Sequence, residues 1–122
     1  MANGTLIAES LRLATPLRGV ALQTTEIVRR SFDDLPPQQP SVWTFVKFTL
    51  EDRLAPVLSM TIAAALDDVG GWYCDFHTER ETFVVFPRRV FRYPRGEMAG
   101  RAKAEAHARG IGIPEAQIDW PE

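Results

Sequence analysis

The sequence predicts an α+β fold, an antiparallel sheet of five or six strands with two helices packed mainly on one face. Three observations carry that expectation. Leu54–Leu66 has apolar residues at helical spacing, Trp72–Tyr93 breaks into short apolar runs separated by tight turns, and Glu97–Arg109 is an alanine-rich segment that follows those runs. Strands joined by turns too short for a crossover pair antiparallel. The 122 residues suffice for one α+β domain, residues 1–122, and 45% apolar with 25% charged residues is ordinary globular usage.

Taken in order, Thr5–Leu13 alternates Leu6, Ala8 and Ser10 against Ile7, Glu9 and Leu11, and the charges of Glu9 and Arg12 suit an edge strand. Val20–Phe32 fits two templates. Leu17, Val20, Ala21, Thr24, Ile27, Val28 and Phe32 fall at helical spacing, whereas Gly19, the Thr24-Thr25 pair and a Pro/Gly-marked start favour a long twisted strand, the preferred reading. Asp33–Ser41 (DDLPPQQPS) is a loop, because Pro36, Pro37 and Pro40 remove backbone donors and the rest is mostly polar. Val42–Leu50 (VWTFVKFTL) is apolar on both parities and reads as a central strand covered on both faces.

Leu54–Leu66 presents Leu54, Val57, Leu58, Thr61, Ile62, Ala65 and Leu66 as a core stripe. Its other side carries Met60, Ala63 and Ala64 and no charge, which makes these three candidate interface residues of a homodimer. Trp72–Phe76, Thr82–Phe86 and Val90–Tyr93 form a three-stranded meander, turning at His77–Glu81 and Pro87-Arg88-Arg89. Glu97–Arg109 is the second helix, with Gly110 and Pro114 beyond it, and Ile118 and Trp120 of the tail are expected to dock back on the body.

Composition narrows function by exclusion. A net charge of −2 and a pI near 5.7 give no generic affinity for nucleic acid or anionic membrane. Cys74 is the only cysteine, so no intrachain disulfide can form. Met1–Ser10 has no basic region to open a signal peptide, and Leu54–Leu66 is short of the roughly 20 residues a membrane span needs, so a cytoplasmic protein is expected.

Few constellations carry chemistry. Cys74 and His77 invite a nucleophile and base, but residues three apart on a strand project to opposite faces, which leaves Cys74 among Trp72 and Phe76 as a buried thiol. Tyr73, Asp75 and His77 share the other, polar face, about 7 Å apart for alternate residues. A metal would need a third ligand, and the only other histidine, His107, sits at no recognised zinc spacing, so neither metal nor cofactor is expected. Arg80–Arg109 holds eight basic residues against three acids, interleaved with Phe91 and Tyr93. This pattern, with a short partial likeness of Phe83–Phe86 to the end of the RNA-recognition-motif signature, suits nucleic acid less well than a solvated basic face over an apolar core strand. Gly96–Arg101 opens a helix with glycines, but Glu97 stands where a phosphate would sit.

At GWYCDF (Gly71–Phe76), ETFVVFPRRVFRYPRG (Glu81–Gly96) and IGIPEAQIDWPE (Ile111–Glu122) the chain resembles a group of small uncharacterised bacterial proteins. The resemblance implies a compact stand-alone domain and no activity, partner or catalytic residue.

Two function classes follow. The first is a non-catalytic interaction or binding module acting as a homodimer or with a protein partner. The second is a small enzyme or ligand-binding protein using the Tyr73, Asp75 and His77 strand face with a nearby arginine, Arg92. A pocket lined by those side chains would favour the second; a flat apolar patch would favour the first.

Overall fold

The computed structural model describes the whole chain, Met1–Glu122. Its six strands are β1 (Ala2–Ile7), β2 (Gln23–Ser31), β3 (Val42–Leu50), β4 (Cys74–His77), β5 (Glu81–Phe86) and β6 (Arg89–Pro94), and its helices are α1 (Ala55–Ala65) and α2 (Met98–Gly110). They form one antiparallel sheet in the order β2-β3-β1-β4-β5-β6. The ambiguous second segment is a strand, and the meander and both helices lie where periodicity places them.

The amino-terminal segment differs from expectation. Rather than an edge, β1 is an inner strand hydrogen-bonded to β3 and β4. It ends at Ile7, and a 3-10 turn over Ala8–Ser10 follows. Glu9, which suggested an edge, extends the ladder by other means. Its carboxylate accepts the Thr44 backbone N–H and the Thr44 hydroxyl, the latter at 2.8 Å. Burial pushes Glu9 up, but the Thr44 bonds, with its own backbone and Arg29, hold it below the usual carboxylate range.

One row across the sheet shows how the first core is built: Thr24, Phe48, Gly4, Phe76, Phe83 and Arg92 are successive cross-strand neighbours on one face. Gly4 has no side chain to separate its neighbours, so the rings of Phe48 and Phe76 meet over it with centroids 6.1 Å apart, and Phe76 stacks on Phe83 at 5.0 Å. Such ring pairs add about 0.5–1.5 kcal/mol beyond area burial. Leu58, Ile62 and Ala63 of α1, with Leu66 just beyond it, close this core. Pro56, in the first turn of α1, needs no N–H there.

The helices divide between the two faces instead of sharing one. β5 is apolar on both parities: Phe83 and Val85 face α1, whereas Val84 and Phe86 face a second core with Tyr93, Ala104, Ala108, Ile113 and Trp120. A strand buried on both sides requires cover on both, and α2 with the carboxyl-terminal tail supplies the second. Gly100 lets α2 approach closely, since a Cβ there would stand 2.4 Å from the Tyr93 Cβ. The α2 layer reaches β4 to β6 only. Beyond it, the same face is covered at Trp43, which packs on Phe32 and Trp72, but is part-exposed at Thr5, Ile7 and Phe45 and exposed at Lys47, so β3 is not covered on both sides along its length as its composition suggested.

Candidate functional site

The uncovered part of the second face is a trough. Its floor is set by the pleat: Asn3, Thr5 and Ile7 of β1 point the same way as Trp43, Phe45 and Lys47 of β3 and Asp75 and His77 of β4. The loop Phe32–Pro36 forms one wall and the tail Pro114–Pro121 the other. Two adjoining cavities, about 470 Å³ and about 380 Å³, share Thr5, Asp75 and Asp119 between them.

Both walls are tied down. The Trp43 indole N–H donates to the Pro40 carbonyl at 2.9 Å, and Gln39 is buried and donates to the Gly70 carbonyl at 2.6 Å. Gln117 of the tail exchanges hydrogen bonds with Gln39, and Trp120 anchors the tail by donating to the Tyr93 hydroxyl at 2.8 Å. The Pro-rich segment is therefore an ordered wall, although its composition reads as solvated loop.

The larger cavity is aromatic on one side. Phe32, Trp43 and Phe45 form a triangle with centroids 4.7, 6.1 and 6.1 Å apart, their planes tilted by 44–57°. The ionisable side chains lining this cavity are Asp34, Tyr73, Asp75 and Asp119, with no Lys, Arg or His among them. Tyr73 donates to the Gln117 carbonyl at 2.6 Å and lies 3.2 Å from an Asp119 carboxylate oxygen. Burial, with the charges of Asp75 and Asp119, pushes its phenol far above the ordinary range.

Asp75 stands at the junction of the two cavities. Burial and then repulsion from Asp119 push its carboxyl up to about 6, against the smaller opposing pulls of its own backbone N–H and Arg101. The smaller cavity adds His77 and Lys47. Burial, then Arg95, lowers the His77 pKa. Lys47 is ion-paired with Glu26 at 3.5 Å.

Of the candidate ligand residues, the structure brings together Tyr73, Asp75 and His77 and separates Arg92. Arg92 is opposite Phe83, hence on the α1 face, where it pairs with Glu81 at 2.6 Å and lies over the Phe83 ring. Its charge made it a candidate; its parity removes it. Cys74 is buried on that same face, donating to the Thr5 carbonyl at 3.3 Å, and burial pushes its thiol up. His107 packs between Phe86 and Phe91, so it does not join His77. No three His, Cys, Asp or Glu side chains converge as metal ligands. Half of the basic stretch is neutralised locally, with Arg88, Arg92, Arg101 and Arg109 each paired to a carboxylate.

The proposed interface residues also separate. Ala63 is core, 7% exposed, and its carbonyl accepts the Arg88 N–H; Met60 is 70% exposed, and Ala64 is exposed too. Asp119, Phe45, Phe32 and Thr5 escaped the sequence reading. Alternation marks Phe45 and Thr5 as facing one way, but only the pairing of β1 with β3 and β4 shows that this is the way Asp75 faces. No protein-family model, curated protein or solved structure matches this chain.

Proposed function

We propose that the protein binds a small organic molecule in the trough between the Phe32–Pro36 loop and the carboxyl-terminal tail. One observation carries this reading: Tyr73 and Asp75 lie in a concave site of about 470 Å³ with aromatic walls and few polar groups, the composition typical of ligand pockets. Binding rather than catalysis is favoured, since the one thiol lies on the opposite face, and the trough hydroxyl nearest a carboxylate, that of Tyr73, donates to the Gln117 carbonyl while burial pushes its phenol far above the ordinary range. An NMR screen of small amphipathic compounds tests it, reading the indole signals of Trp43 and Trp72. Binders should perturb both and lose affinity in Phe45→Ala; a screen in which compounds shift neither would overturn the proposal.

A second reading, self-association or docking of a protein partner through α1, rests on the exposed side chains of Val57 and Met60, 47% and 70% accessible, with Ala64 beside them. Sedimentation of Met60→Glu tests it: a wild-type dimer that becomes a folded monomer supports the reading, and a wild-type monomer confines it to a foreign partner.

A further inference from the structure

Resting on the ligand-binding reading, we infer that the trough selects a cation: a protonated amine carried on an aromatic or branched apolar body. The sign of the charge follows from the lining. The larger cavity exposes three carboxyl groups, on Asp34, Asp75 and Asp119, and no basic side chain. The Asp75 carboxyl accepts no hydrogen bond from any other residue. It is therefore a pre-formed acceptor without a partner, facing Asp119 across the junction of the two cavities. Each carboxylate raises the energy of the other, and an ammonium placed between them relieves that repulsion while forming charge-assisted hydrogen bonds. An anion at the same place would meet two like charges.

The body of the ligand follows from the walls. Phe32, Trp43 and Phe45 line the same cavity as the carboxyl pair, their rings tilted against one another, and aromatic walls of this kind take an apolar group and stabilise a positive charge that reaches a ring face. The protein's own cations do not occupy this position. Arg101, on α2, lies over Trp120 and is paired with Glu105, and Lys47 is paired with Glu26.

The charged and titratable groups around Asp75 are Asp34 from the Pro-rich loop, Asp119 from the tail, Tyr73 and His77 from the β4 segment, Lys47 from β3, Tyr93 from β6 and Arg101 from α2. Asp75 ionises at about 6, so amine affinity should rise as pH increases through that value.

The test is an NMR titration of the whole protein with three matched probes, 2-phenylethylamine, 2-phenylethanol and 3-phenylpropionate, following the indole signals of Trp43, Trp72 and Trp120. At about pH 7.5 the amine should bind at least about tenfold more tightly than the alcohol, and the anion most weakly. That advantage should vanish in Asp75→Asn and shrink at about pH 5. Phe45→Ala should weaken amine and alcohol alike. Equal binding of amine and alcohol, or tighter binding of the propionate, overturns cation selectivity while leaving the pocket standing. Failure of all three probes to move Trp43 and Trp72 overturns both.

Discussion

The side-chain amides of Gln39 and Gln117 are reciprocal partners, Gln39 Nε2 donating to Gln117 Oε1 at 3.1 Å and Gln117 Nε2 to Gln39 Oε1 at 3.0 Å. The pair clips the Pro-rich loop to the tail, the two walls of the trough. Gln39 also donates to Gly70, so its loss orphans the buried Gly70 carbonyl as well as the part-buried Gln117 amide, where loss of Gln117 breaks only the mutual pair. Gln39→Ala is expected to destabilise the fold by about 2–3 kcal/mol and Gln117→Ala by about 1 kcal/mol in urea denaturation. The reverse order would show that the Gly70 bond matters less than the amide pair.

Asp75 makes stability depend on pH in an unusual direction. An unfolded aspartate ionises near 3.8, whereas this one ionises at about 6. Between those values the native state keeps a proton that the unfolded chain has lost, so stability falls as pH rises through the window and levels off above it. Asp75→Asn should therefore be more stable than wild type at about pH 7.5, by about 1–2 kcal/mol after allowance for partial solvation, and nearly equal at about pH 4. Asp119→Asn should lower the Asp75 midpoint, read from the carboxyl carbon shift in NMR. A wild-type-like midpoint in that variant would remove Asp119 as a cause.

Cys74 is expected to be inert. Its thiol is buried on the α1 face, and burial holds it in the protonated form. An aromatic disulfide reagent should label the native protein no faster than the protein unfolds, and rapid stoichiometric labelling at neutral pH would contradict the placement.

Gly4 should tolerate no side chain. A Cβ there would stand 2.4 Å from the Phe76 Cβ and 2.8 Å from the Phe48 ring. Gly4→Ala is expected to lose about 2–3 kcal/mol through overpacking, measured by thermal or urea unfolding. A compensating Phe48→Leu should recover part of it.

Much of this fold was legible because periodicity is local. The strands β3 to β6 and both helices announce themselves within their own residues, and so does the shared face of Tyr73, Asp75 and His77, whereas the segment that becomes β2 fits helix and strand alike. What was illegible is what depends on strand order. Nothing near Thr5 reveals that it will lie between Lys47 and Asp75, and although Trp120 is expected from the sequence to dock the tail on the body, nothing near Asp119 reveals that this docking presents it to the trough. The division of the helices was within reach, since Thr82–Phe86 is apolar on both parities and so needs two covers. Arg92 was assigned by charge and proximity alone, although the Phe83–Arg92 pairing puts it on the α1 face.

The position of β1 has a consequence for how the chain reaches its native state. The earliest strand in chain order is the seam of the sheet: Leu6 pairs with Val46 and Gly4 with Phe76. The hairpin β2-β3 and the meander β4-β5-β6 can each zip up locally, but they join only when a segment made before either of them is captured between the two. Such long-range closure is entropically late and places folding in the millisecond-to-second regime rather than the microsecond one. Until then β3 and β4 each carry a free edge, so during synthesis the mature fold's innermost seam is its most aggregation-exposed element.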